Sequence, residues 1–445
     1  MKHCAICHSA DRYGSSAPPL IPLTLGKYGK MRVERIITEG LPATNMPSYR
    51  GVIDRGGIKA IVDYLFTPAP PPVWTEREML KTLRVVATPM DKPVHGHDLS
   101  NLFMVVEGGR GEVCIMEGKG FTLLDRVKVG RIHGGPKFDY TFHYAYMVSR
   151  DGWIVKYDLY GLKEIASIRA GINTRNIAVS DDGRLIAVAN YLPAGVVLID
   201  TESMKPIKTI TGTGRVGAVY NMKGKGLFIA LPRGRAEFFL IDYSQRGLKI
   251  KRVRIPVSFD DVFMEPRGRY LVGTSRDKDS MVVFDMLEGR VVREFHIDGM
   301  PHLASAALWK ADNTVYAAIP HIRKPVLTIM RLYDWKVVKT VRLKGAGFFA
   351  RTHRGTDYIW VDTNTDTIQL IDRKSLEVKK ELVPEQGRKA MHIEFTKDGR
   401  YALISIWEKE GAVVIYDTET LKPVKVLPFS KPVGKYNATN KTHIL

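Results

Sequence analysis

Cys4, Cys7 and His8 lie in the run Cys-Ala-Ile-Cys-His, whose residue types and spacing suit one chemistry above others. Two thiols three positions apart can add to the two vinyl groups of a porphyrin. The adjacent histidine can supply an axial nitrogen to its iron, which is the attachment pattern of a covalent c-type haem. The chain has 3 cysteines, and two of them are here, so a structural zinc site would lack the second ligand pair it needs. A thioredoxin-like redox pair would need a strand–helix–strand setting, also missing. A chance or simple metal-binding pair is the alternative these residues leave open.

The residues that follow must position such a haem. Pro18-Pro19-Leu20 reads as a loop beside the haem edge, and Val33, Ile36 and Ile37 fall at helical spacing before Gly40. Asn45-Met46-Pro47 places a thioether in a proline-bounded loop between helices, suited to be the sixth iron ligand; the plainer reading is a core methionine. Ile58, Ile61, Val62 and Leu65 form a last helix before the stiff proline run at 68–72. Residues 1–66 resemble a small all-α class I cytochrome c. Such domains carry a helix before the motif, whereas only Met1-Lys2-His3 precede it here. Haem attachment occurs outside the cytoplasm, so an upstream helix and export signal are expected, with a periplasmic or otherwise extracytoplasmic location.

Beyond a linker over 67–84, helical periodicity gives way to short β-rich runs. An acidic residue recurs at the end of an apolar strand: Glu117, Asp158, Asp200, Asp242, Asp285, Asp334, Asp372 and Asp417. The steps are roughly 38 to 49 residues, the period of a four-stranded propeller blade. Asp-Gly pairs at 151–152, 182–183 and 398–399 mark tight hairpins. The expectation is a multidomain α+β chain: a small α domain, then an eight-bladed all-β propeller over 85–445. A β-sandwich pair or an open solenoid is the competing architecture. No apolar run is long enough for a transmembrane helix. The net charge of +20 favours anionic partners, among them acidic redox proteins, membrane phosphates, nitrite or a polycarboxylate cofactor. Nucleic acid is not expected, because the basic residues are spread through the strands without a binding motif.

Of 12 histidines, four stand near the opening strand of a blade: His133, His302, His353 and His392. A lone histidine is more often structural, but several in equivalent positions can converge over a propeller channel. The whole pattern resembles the cytochrome cd1 family, in Cys-Ala-Ile-Cys-His and in His-Gly-Gly-Pro-Lys-Phe at 133–138, Ser-Arg-Asp-Gly-Trp-Ile at 149–154, Asn-Thr-Arg-Asn at 173–176, Ala-Asn-Tyr-Leu-Pro at 189–193, Gly-Met-Pro-His-Leu at 299–303 and Gly-Lys-Tyr-Asn at 434–437. That family holds a noncovalent haem d1 over the channel. The resemblance implies His133 as proximal iron ligand and Arg150 and Arg175 as partners of the macrocycle's carboxylates, although each arginine could instead be a surface ion pair. It implies Tyr191 and Trp407 as aromatics beside the ring. His302 and His353 match the distal proton donors of the nitrite reductases.

The motif wording is closer to the branch that completes haem d1 synthesis, and His392 is the discriminating residue. The expected activity is dehydrogenation of dihydro-haem d1, its propionate side chain becoming an acrylate, with electrons leaving through haem c to small redox proteins. Other d1-biogenesis proteins are further candidate partners. The alternatives are nitrite reduction to nitric oxide in denitrification and a non-catalytic d1 carrier.

Overall fold

In a computed structural model, the chain is described over residues 2–14, 17–26, 28–40, 46–70, 72–132, 134–244, 247–276 and 278–442. Among the described residues its strands form eight antiparallel sheets, each arising from consecutive chain except the first, which borrows a strand from the C-terminal end, and the second, which gains an edge strand from before the first. The eight-bladed propeller is therefore observed. Blades are numbered in chain order, blade 1 containing Phe103–Glu107.

Burial explains the strand chemistry. Inner strands are covered on both faces and read as apolar runs: Phe103–Glu107 and Gly411–Asp417 are buried at every position. Outermost strands face water and carry charge, as in Lys249–Arg254. Side-chain alternation lets one strand feed two cores. Met104 and Val106 pack in the cluster shared with blade 2, and Phe103 and Val105 in the cluster shared with blade 8. One such cluster fills each of the eight junctions between neighbouring blades. Burying one large aliphatic side chain is worth about 1.5–3 kcal/mol, so stability rests on the ring being complete. Pro432–Asn437 completes it, pairing antiparallel with Phe103–Glu107 as the innermost strand of blade 1.

The recurring acid closes the third strand at Asp158, Asp200, Asp242, Asp285, Asp372 and Asp417. Its carboxylate accepts the N–H groups of the next turn; Asp417 Oδ1 takes those of Glu419 and Thr420 at 3.1 and 2.9 Å. Asp334 departs from the pattern: it lies past the strand Val326–Arg331 and accepts from the Arg331 guanidinium at 2.8 Å.

Residues 67–84 are linker only in their first half. Trp74 and Met79 pack into the core between blades 2 and 3, Glu76–Leu80 is a short helix with a Thr75–Glu78 capping box, and Arg84–Val85 adds a fifth strand to blade 2. The prolines stiffen the start, but the apolar residues after them find burial.

The N-terminal residues form four short helices, Lys2–His8, Pro22–Leu25, Lys30–Glu39 and Arg55–Leu65. Leu25, Val33, Ile37, Ile58, Val62 and Leu65 make their core. Gly40 closes the third helix at φ +76°, and a Cβ there would come within 3.0 Å of the Met46 carbonyl. Glycine thus lets the Met46 segment lie against the helix end.

This unit docks on the propeller through Arg169 at the end of Lys163–Arg169. The buried guanidinium donates to the carbonyls of Tyr13 at 2.9 Å, Gly14 at 3.0 Å and Asp151 at 2.8 Å. Trp74 packs 5.0 Å from it. A hydrogen bond from a charged group is worth about 1.5–3 kcal/mol. Arg169→Met is therefore expected to raise amide exchange at residues 9–20 by roughly 10-fold or more, with the strand Asn173–Val179 unchanged; hydrogen-exchange mass spectrometry checks it.

Candidate functional site

Innermost strands begin, and second strands end, on one face of the ring. Residues just before the former therefore meet residues just after the latter. His302 lies before Ala307–Ala311, and its Nδ1 is 2.7 Å from the Phe348 carbonyl. A carbonyl only accepts, so Nδ1 carries the proton and Nε2 presents its lone pair. That nitrogen is 3.8 Å from Asp261 Oδ2, beyond hydrogen-bond reach but near enough for the carboxylate to stabilise an imidazolium. Burial pushes the Asp261 carboxyl up, and His302 partly offsets this.

His392 sits where the register of Ala390–Phe395 shifts, with φ +52°. It is 1% exposed, and among the described residues neither ring nitrogen has a hydrogen-bond partner. Burial foremost, then the charges of Lys435, Arg351 and Lys441, hold its pKa well below the usual imidazole range, so the ring is neutral. Phe349 bridges the site, its ring centroid 6.0 Å from that of His302, 4.6 Å from His392 and 6.3 Å from Trp407. Tyr436, on the closing strand, stands 5.0 Å from His392. The buried Trp407 Nε1–H also has no partner among the described residues. Leaving such groups unmet costs about 1–3 kcal/mol each, which marks them as meant for a ligand.

The same face concentrates positive charge. Arg150, in the loop between the second and third strands of blade 2, has its pKa pushed down to about 9 by burial and then by Arg175 and Arg131. Arg175, in Asn173–Val179, is lowered chiefly by burial and stands over the Tyr191 ring at 5.0 Å. Arg215 approaches the same ring at 5.8 Å. Arg276 Nε has no hydrogen bond among the described residues, and no ion pair of Arg150 is found among them. Buried cations without matching carboxylates are costly, so the face suits a polyanion.

In the N-terminal unit Cys4, Cys7 and His8 share the first helix, and both thiols are free. His8 Nδ1 lies 2.7 Å from the Pro18 carbonyl, so it donates and leaves the Nε2 lone pair available to a metal. Burial lowers the His8 pKa, which keeps the ring neutral as ligation requires. Met46 packs at the edge of the helical core. This donor set fits a c haem. Tyr28 of the same unit lies near enough to Arg150 to raise its pKa.

The structure thus brings together His302, His392 and Trp407, and sets Arg150, Arg175 and Tyr191 on the same face. His353 is elsewhere. It lies past Ala350–Arg351, accepts the Gly355 N–H at Nδ1 (3.1 Å), and packs on Gly399, where a Cβ would come within 1.9 Å of that nitrogen. That hairpin is at the far end of Ala390–Phe395 from His392, so His302 meets His392 rather than His353. His133 lies outside the described residues. Its neighbours Gly134 and Gly135 approach Asn176 and the Tyr436 ring, where a Cβ would come within 3.0 and 2.5 Å.

Sequence reasoning missed Asp261, Phe349, Asp362, Lys435 and Tyr436 as site residues. Lys435 is fully buried and donates to the His392 carbonyl and, at 2.9 Å, to Ser405 Oγ. Asp362 accepts the N–H groups of Phe348 and His392 at 2.7 and 3.1 Å, and burial pushes its carboxyl up to about 6. A charged residue inside an otherwise apolar inner strand was the available signal.

Comparison with known proteins gives consistent results. Residues 97–441 match the family model for the cytochrome D1 heme domain. A dihydro-heme d1 dehydrogenase of Pseudomonas aeruginosa is 39% identical, covering 99% of this chain and 92% of that protein. Protein NirF of the same organism is 28% identical over 77% of this chain and 93% of its own. The solved structure of dihydro-heme d1 dehydrogenase NirN in complex with DHE superposes with a TM-score of 0.94 at 38% identity, covering 99% of this chain and 98% of that one.

The cation excess has a pH signature. Lys137, on the short inner strand of blade 2, has its pKa pushed down to about 8 by burial. A lysine whose folded pKa lies below its unfolded one near 10.5 opposes folding while protonated in both states, and this penalty fades as pH rises from about 8 toward 10.5. Lys137→Met should raise the unliganded chain's stability by about 1–3 kcal/mol below pH 8, with the gain vanishing toward pH 10.5. Thermal unfolding against pH measures it.

Proposed function

We infer the function from one premise: this chain belongs to the cytochrome D1 heme domain family. It is a dihydro-haem d1 dehydrogenase, an oxidoreductase that removes two hydrogens from the propionate side chain of dihydro-haem d1 to leave an acrylate. The observation that carries this reading is the His302–Phe349–His392 group: one imidazole with a free Nε2 beside a carboxylate, and a second, neutral imidazole with both nitrogens unmet.

In this reading each site residue has a role. Arg150 and Arg175 bind the substrate's carboxylates, where a guanidinium is the best-matched cation. His392, whose ring nitrogens are unmet among the described residues, would hold the substrate iron, and His133, which lies outside the described residues, would supply a second imidazole. Tyr191 and Trp407 flank the macrocycle. Two C–H bonds break and one C=C bond forms, so two protons and two electrons must leave. His302 Nε2 accepts one proton, Asp261 offsets the charge that forms, and the second proton leaves to solvent. Cys4, Cys7, His8 and Met46 would hold the c haem of a class I cytochrome c domain, whose chemistry when bound is one-electron acceptance. Small redox proteins outside the cytoplasm are the fitting final acceptors. Other d1-biogenesis proteins are the fitting source and recipient of the macrocycle.

Nitrite reduction through a His302–His353 pair is disfavoured by the separation of those residues. A carrier alone would not need a base set against a buried carboxylate.

Single-turnover and steady-state assays with dihydro-haem d1 test the reading. Wild type should convert it, and His302→Ala should lose ~10²–10⁴ in rate with binding retained. His392→Ala should lose the six-coordinate spectrum of the bound substrate. Rapid nitrite turnover, abolished in His302→Ala and His353→Ala but not in His392→Ala, would falsify the assignment. For the c haem, Met46→Ala should remove the weak near-infrared sulfur-to-iron band while covalent attachment persists; a band that survives excludes Met46 as ligand.

A further inference from the structure

We propose that Asp362 is the positioning residue that fixes the separation of His302 and His392, an inference that rests on the dehydrogenase reading above. Asp362 is the last residue of Tyr358–Asp362, the second strand of blade 7, and is 0% exposed. Its two oxygens hold two different segments of chain. Oδ1 accepts the Phe348 N–H at 2.7 Å, and Oδ2 accepts the His392 N–H at 3.1 Å. The Phe348 carbonyl in turn accepts from His302 Nδ1 at 2.7 Å. One continuous path therefore runs from the His302 imidazole through the Phe348 main chain, by its C=O and its N–H, and one carboxylate to the His392 N–H.

The rest of the surroundings make this path stiff. The Asp362 N–H donates back to the Phe349 carbonyl at 3.2 Å, so peptides 348 and 349 are held at both ends. Lys435 grips the carbonyl of His392 while Asp362 grips its N–H. His392 has φ +52°, a strained backbone state that persists only where its surroundings hold it. The two histidines come from different blades, His302 before blade 6 and His392 within blade 8, and Asp362 stands in the blade between them. Small drifts of those blades would otherwise change the distance from the base to an iron-anchored side chain. A displacement of about 1 Å at such a site can cost ~10²-fold in rate.

Only a carboxylate accepts at both oxygens. In Asp362→Asn one end becomes an NH₂ group facing an N–H donor, so one arm must release. The test uses the full-length haem c-loaded protein with dihydro-haem d1 as the probe. Asp362→Asn should bind the probe within about threefold of wild type, because the arginines are untouched, yet lower kcat by roughly 10–100-fold. In a His302→Ala background the same change should lower kcat little further, since it acts through that histidine. Unchanged kcat, or a full additive loss in the double variant, overturns the proposal. A second measurement covers poor folding of the variant. In unliganded wild type the Phe348 and His392 amides should be protected and exchange at a common rate, and free or unrelated exchange of either overturns the clamp. If wild type fails to convert dihydro-haem d1, the dehydrogenase reading falls, and the exchange result alone decides whether Asp362 holds both segments.

Discussion

Pairing of Pro432–Asn437 with Phe103–Glu107 is the interaction on which everything else depends. Inner strands covered on both faces cannot be satisfied in a single sheet. Each of the eight junction cores needs a blade on either side, so the chain must return to its start. The strand that achieves this also delivers Lys435 and Tyr436 to His392. Ring closure and site construction are thus linked: the last strand of the chain is the one that braces His392.

What that closure encloses is poorly matched within the protein alone. Arginines and lysines crowd one face with few carboxylates, and the His392 nitrogens and Trp407 N–H lack partners among the described residues. Burial of unmatched charge and unmet polar atoms opposes folding. A bound macrocycle bearing carboxylates, an iron and a conjugated ring would answer each deficit with its own chemistry. The apoprotein is in this sense strained toward its ligand.

Much of this was legible in the residues. The acidic repeat located the blades because a carboxylate capping a turn is a local device, as at Asp417. The Cys-x-x-Cys-His run, read as one unit in the sequence, does fall on one short helix that carries both thiols and the imidazole. His302 and His392 were visible as histidines at blade openings. What escaped was set by ring closure. Nothing local in Gly-Lys-Tyr-Asn says that Lys435 will face a carbonyl of the neighbouring blade. Nothing local places Asp362 between the Phe348 segment and the strand Ala390–Phe395. His353 shared its motif position with His302, but it follows its strand where His302 precedes one, which sends it to the other end of the blade. Proline composition made 67–84 look like a spacer, although Trp74 and Met79 are packed.

The hydrogen bonds by which Arg169 grips the N-terminal unit go to main-chain carbonyls, those of Tyr13 and Gly14. Such a joint reads backbone shape and not side-chain identity. The surface of the helical unit can therefore diverge, to suit one electron acceptor or another, without loosening its seat on the ring. The propeller can likewise change its mouth without renegotiating the seat, provided one guanidinium and one loop of the right curvature persist. The two halves are free to evolve at different speeds while keeping a fixed mutual address.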